Sequence, residues 1–135
     1  MSKSKSFSWP IRVYFQDTDA GGVVYHANYL NFMERARTEW MRTYGYSNAG
    51  LMNELGVVFV VRSLKLDYLK PALLDDQLNI TAQIGDIGRS RISLLQTVLR
   101  KDELLAEAEV HLVSVSVENF KPVSIPEVLR TQWKD

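Results

Sequence analysis

The chain has 135 residues, the size of one domain, with 46% hydrophobic and 24% charged residues, and the even total of 16 Lys plus Arg against 16 Asp plus Glu excludes the broad field that gathers nucleic acid or an anionic membrane surface. The sequence holds no cysteine, which excludes disulfide scaffolds, thiolate nucleophiles and cysteine-ligated metals and leaves chemistry to oxygen and nitrogen groups. A cytoplasmic protein is expected, since the polar start Met1 to Ser6 leads into no long apolar run of the kind a secretory signal or membrane span needs.

The first element is a strand over Phe7 to Phe15, with Ile11, Val13 and Phe15 on one side and Arg12 and Tyr14 on the other, the two-residue period of a sheet. The segment QDTDAGGVVYHA has the aspartates and paired glycines of a loop. From Asn28 to Tyr44, the residues Tyr29, Phe32, Met33, Ala36, Trp40 and Met41 recur at three- and four-residue spacings, which predicts a long helix with one apolar face. Gly45 stops it, and Ser47 caps a shorter helix that runs to about Leu55 and ends at Gly56.

Beyond Gly56 the pattern turns β-branched and alternating: VVFVVRSLKLDYL, QLNITAQIGD, SRISLLQTVLR and LLAEAEVHLVSVSVE read as four strands. The breaks at Pro71 to Asp76, Gly85 to Arg89 and Arg100 to Glu103 are short, so an antiparallel meander is expected. A short helix near Pro126 closes the chain as an appendage. The order predicts a single α+β domain over residues 1–135, one long helix on one face of an antiparallel sheet. One helix leaves sheet uncovered and an edge open, so a homodimer or homotetramer is expected.

Reactive groups concentrate between Asp17 and Asn28. A helix start offers unpaired N–H groups and a positive dipole end, able to polarise a carbonyl and hold the oxyanion formed when it is attacked. A carboxylate in the preceding loop can act as nucleophile or as general base on water. Gly21 and Gly22 permit positive φ or close approach of substrate to main chain. Taken alone, an Asp-x-Asp loop before a helix is usually turn chemistry, with an aspartate side chain bonding nearby amides.

The stretch VYFQDTDAGGVVYHANYLNFMERARTEW, together with FVVRSLKLDYLKPALLDDQL, AEAEV and KPVSIP, closely resembles the hotdog-fold 4-hydroxybenzoyl-CoA thioesterase family, and within it the YbgC-type acyl-CoA thioesterase branch. The resemblance covers nearly the whole chain. It implies a hotdog fold and hydrolysis of acyl-CoA, with short-chain or aromatic acyl groups as candidates, no cofactor, and CoA or acyl carrier protein as the carrier. It also implies that Asp19 is the catalytic carboxylate, that Asp17 is structural, and that the His26 main-chain N–H polarises the thioester, with the His26 imidazole as an aid.

For substrate binding, the resemblance adds Gly22 in the loop and Glu34, two turns along the helix from His26, against the plain alternative of a surface ion pair. Arg89 and Arg91, at the hairpin between the second and third of the four strands, are implied contacts for the CoA phosphates, and Arg62 is a further candidate. His111 alternates with apolar residues in its strand and reads as structural. The two histidines give no metal-ligand spacing, so no metal is expected. The rival from another class is a non-catalytic acyl-CoA or acyl-carrier-protein binding or scaffold protein; a hotdog dehydratase is the nearer enzymatic rival, but its characteristic helix histidine is not matched.

Overall fold

The computed structural model describes residues 6–134, so the polar start at Met1 to Lys5 lies outside it. The strands are β1 (Phe7–Arg12), β2 (Val57–Tyr68), β3 (Gln77–Ile87), β4 (Arg91–Arg100) and β5 (Glu103–Ser116); the helices are α1 (Asn28–Arg42), the short α2 (Asn48–Gly50) and α3 (Glu127–Trp133). All five strands form one antiparallel sheet in the order β1-β3-β4-β5-β2, and α1 lies across one face. This is the expected α+β hotdog arrangement.

Each of the six apolar residues predicted for the helix face is buried. They meet Leu78, Ile80, Leu94, Val98, Ala106 and Val110 from the sheet in one core. Burying a side chain of this size contributes roughly 1.5–3 kcal/mol. Ser47 caps α2 as predicted, its hydroxyl accepting the Gly50 N–H at 3.0 Å. The chain then widens into a π turn over Leu51–Leu55 and leaves through Gly56 at φ 69, a left-handed position that suits glycine.

Three expectations change. The four later strands are not a simple meander: β3, β4 and β5 follow one another, but β2 pairs with β5 at the far edge. The eight residues from Leu69 to Asp76 cross the end of the sheet over three inter-strand steps, roughly 14 Å, well within their extended reach. The first strand stops at Arg12. Val13 stays buried, but the chain then curls through a 3-10 turn at Phe15–Asp17. Phe15, expected beside Ile11 and Val13, is thereby turned out to 81% exposure. Finally, α3 is not an appendage. Its Trp133 is buried and stacks on Trp40 at 5.5 Å, with Tyr44 and Phe59 closing the cluster.

In β2 the inward phase changes midway. Phe59 and Val61 lie opposite Ser114 and Leu112, whereas Leu64, Leu66 and Tyr68 lie opposite Val110, Ala108 and Ala106; the register shifts between Val61 and Ser63. Arg62 is the extra residue of this bulge. The shift carries Tyr68 round to the α1 side of the sheet, at the end where the Asp17–His26 loop sits.

Candidate active site

Asp17 is 5% exposed, and its carboxylate is fully engaged. Oδ2 accepts the Tyr14 N–H at 2.8 Å and Oδ1 accepts the Asn28 Nδ2 at 2.7 Å, while its own carbonyl accepts the Tyr25 N–H at 3.0 Å. One residue thus ties the start of the loop, its end and the first turn of α1 together.

Between these ties the chain doubles back. Thr18 bridges Val24, the Asp19 N–H donates to Val23 O at 2.9 Å, and the Gly22 N–H donates to Asp19 O at 3.1 Å. Gly22 takes φ +82, whereas Gly21 does not need positive φ. The crossover from β2 to β3 supports the hairpin from beneath: Val24 N–H donates to Ala72 O (2.8 Å) and Leu74 N–H to Gly22 O (3.0 Å). Arg100 holds that crossover, bonding Asp76 at 2.6 Å and Glu103 at 2.9 Å, while Lys70 reaches Glu103 at 3.0 Å. These two cations hold the Glu103 carboxyl below its ordinary range, Arg100 more than Lys70.

On this frame Asp19 is exposed. Its Oδ1 accepts the Gly21 N–H at 2.8 Å, and Oδ2 takes no hydrogen bond among the described residues. His26, also exposed, lies in the turn two residues ahead of α1. No side chain caps this helix start, and its first turn holds no acidic residue. Among the described residues, the N–H groups of His26 and Ala27 donate to nothing. They lie in the turn that leads into α1, at the positive end of its dipole.

The His26 carbonyl, by contrast, is held: the Tyr68 hydroxyl donates to it at 2.8 Å, and the Tyr68 ring meets Tyr29 edge-on at 5.2 Å. Burial, with Tyr29 alongside, pushes the Tyr68 hydroxyl up. Tyr29 in turn accepts the Ala72 N–H at 2.9 Å. Sequence reasoning missed both tyrosines. The phase change in β2 is the signal that turns Tyr68 inward, but its meeting with a residue 42 positions earlier belongs to the fold.

Glu34 lies about 12 Å along α1 from His26 at 1.5 Å per residue. It lines a cleft of about 330 Å³ between α1 and β2, shared with Arg37, Trp40, Met52, Phe59 and Val61. Instead of a surface ion pair, its carboxylate accepts the Thr38 hydroxyl at 3.1 Å. Arg37, partly buried, bonds Gln96 at 3.0 Å, and desolvation lowers its pKa against the opposing pull of Glu34.

Arg62 sits on the open edge of β2. Arg89 and Arg91 flank the β3–β4 hairpin at the other end of the sheet from Asp19, ~35 Å away along β3 at about 3.3 Å per residue. Within one protomer, then, Gly22 bonds to Asp19 in the hairpin and His26 follows in the same loop ahead of α1, Glu34 lies farther along α1, and the arginines stand apart. His111 is exposed on the uncovered face of the sheet, paired with Glu109 at 2.9 Å.

Residues 13–133 match the model of the thioesterase-like superfamily. The acyl-CoA thioesterase YbgC of Haemophilus influenzae is 42% identical over 127 residues, covering 94% of this chain and 93% of that protein. The acyl-CoA thioester hydrolase YbgC of Escherichia coli is 46% identical over 129 residues, 95% and 96% of the two chains. A crystal structure of a probable thioesterase from Bartonella henselae superposes with a TM-score of 0.86 at 34% identity, covering 90% of this chain and all of that one. With an uncapped helix start and an open carboxylate on a hotdog frame, and with relatives matched nearly end to end, the chain belongs to the YbgC family of acyl-CoA thioesterases.

Proposed function

We propose that Asp19 and the His26 main-chain N–H carry the hydrolysis of an acyl-CoA thioester. The observation that supports this reading most is the pair of unclaimed N–H groups at the head of α1, in the same loop as a carboxylate with a free oxygen. The thioester carbonyl oxygen accepts the His26 N–H. As the carbonyl carbon is attacked, charge collects on that oxygen and the N–H···O hydrogen bond strengthens with it. Asp19 either removes a proton from the attacking water or attacks directly, forming a mixed anhydride that water then opens. In both routes the C–S bond breaks, CoA leaves as thiolate, and the acid product gains its second oxygen, directly or by way of the anhydride, from water.

The whole chain acts in this reading as one domain and as a homo-oligomer built on a homodimer. The β2 edge supports this: it is 12 residues long and, among the described residues, unpaired on its outer side, with Val60 and Val61 exposed, a template for a second copy. A two-fold, antiparallel pairing of β2 edges sets the Tyr68 end of one protomer against the Val57 end of its partner. Substrate then runs between subunits: Gly22 and the loop take the thioester, Glu34 and the cleft the acyl group, and Arg62, Arg89 and Arg91 the carrier phosphates. The cysteine-free composition is in keeping with a cytoplasmic enzyme, and CoA and acyl carrier protein are the two carriers to compare.

The test is hydrolysis of acyl-CoA and acyl-carrier thioesters by wild type, Asp19→Asn and Asp19→Ala. Loss of one catalytic group of this kind is expected to lower kcat by about 10²- to 10⁴-fold. Unchanged turnover in both variants rejects Asp19. Single turnovers in isotopically labelled water, reading the label on Asp19 and on the acid, separate the two routes.

A further inference from the structure

The segment between α1 and β2 holds its backbone still and leaves one large apolar side chain free. The Ser47 hydroxyl caps α2, Leu51 is buried in the core at 3% exposure, and the Gly56 N–H donates back to Leu51 O to close the π turn. Met52, next to that anchor, is 47% exposed and lines the cleft between α1 and β2. Single π turns are rare and occur frequently at functional sites.

The cleft follows about 10 Å of α1, from Glu34 to Met41 at about 1.5 Å per residue. Its lining changes over that length. Glu34, Arg37 and Thr38 stand at the end nearer His26, and Trp40 and Met41 at the other, where Phe59 of β2 belongs to the same aromatic cluster as Trp40. The segment that holds Met52 leaves the C-terminal end of α1 and leads into the head of β2. Met52 therefore stands at the apolar end of the cleft.

We infer that Met52 sets the length of acyl chain that the enzyme accepts; this rests on the reading above, in which the cleft takes the acyl group of acyl-CoA. An alkyl tail that passes Glu34 and Arg37 meets a wall whose backbone is fixed. The adjustable part of that wall is a thioether side chain with three rotatable bonds, which fills irregular apolar space. Leu51 is committed to the core, and Asn48, from the same segment, offers hydrogen bonds that an alkyl tail cannot use.

The test is calorimetric binding of alkyl-CoA thioethers of increasing chain length to wild type, Met52→Ala and Met52→Trp, beside hydrolysis of the matching acyl-CoA thioesters. The chain length bound most tightly should move up in the alanine variant and down in the tryptophan variant. The ratio of affinities for chains just longer and just shorter than the wild-type optimum should change by about tenfold, the scale of one methylene in an apolar site. Both variants should melt close to wild type, because the side chain they replace is half exposed. An unchanged length profile in both variants, a uniform loss at every length, or wild-type affinity that does not depend on length overturns the role of Met52. A thioether has no carbonyl to attack, so the binding profile decides that role without turnover, and a wild type that hydrolyses none of the thioesters rejects the catalytic reading separately.

Discussion

Replacing Asp17 with Asn changes one atom of a carboxylate that joins three parts of the loop. In the wild type both oxygens accept, one from the Tyr14 N–H and one from the Asn28 amide, at 2.8 and 2.7 Å, in a residue almost closed to solvent. An asparagine presents one acceptor and one donor there, so one of the two partners meets an NH₂ group and loses its bond. Hydrogen bonds to a charged group contribute about 1.5–3 kcal/mol, and a buried donor left unmatched adds a desolvation cost of similar size. We expect Asp17→Asn to lose about 2–4 kcal/mol, a large share of the 5–15 kcal/mol typical of a domain. Urea unfolding should show this as a lower midpoint at unchanged slope. A double-mutant cycle with Asn28→Ala should return a coupling of about 1 kcal/mol or more. A stable Asp17→Asn protein with midpoint near wild type, but with turnover abolished, would refute the reasoning and move the catalytic carboxylate from Asp19 to Asp17.

The remaining predictions concern the two ends of the sheet. Trp133→Ala should cost about 3–5 kcal/mol, as for other large aromatics removed from a core, whereas Trp133→Phe should cost less than about 1.5 kcal/mol, because the buried indole N–H has no partner to lose; equal losses in thermal melts would contradict this. Arg100→Gln should lower Tm and weaken the support beneath the Asp19 hairpin. Because Arg100 and Lys70 hold Glu103 below its ordinary pKa of 4.5, that stabilisation is present above this value and is lost as the pH falls through the lowered one. The Tm gap between wild type and variant should therefore be full at neutral pH and narrow in acid; parallel curves down to pH ~2 would remove Glu103 from the account.

Much of this was legible in the chain because it is local. The helix face from Tyr29 to Met41 follows from spacing alone, and the glycine stops and the Ser47 cap follow from backbone and side-chain chemistry within a few residues. The strand order was not legible. Short breaks favour neighbours, and nothing within Leu69 to Asp76 announces that it crosses the end of the sheet; the preference arises from β2 pairing with β5 over eleven registered positions, a long-range gain that outweighs a somewhat longer connection. Phe15 shows the converse. Its alternation with Val13 is real, but the Asp17 carboxylate captures the Tyr14 N–H and bends the chain before the pattern can continue.

The site divides the same way. Pattern offered two aspartates, separated by Thr18, with no means of choosing between them. Burial separates them: a carboxylate with both oxygens claimed cannot attack or take a proton without releasing the loop, while one with a free oxygen at the surface can. The orphan N–H groups give the second half of the arrangement. A helix start without a side-chain cap leaves donors that either water or a ligand must satisfy. Here the His26 carbonyl, in the peptide unit that carries the Ala27 N–H, is fixed by Tyr68, so the helix start keeps its direction while its donors stay free. Rigid main chain with unclaimed donors is the condition under which hydrogen bonds can follow developing charge without first rearranging. The ties made by Asp17, Tyr29, Tyr68 and Arg100 are thus as much part of the proposed chemistry as Asp19, although none of them need touch the thioester.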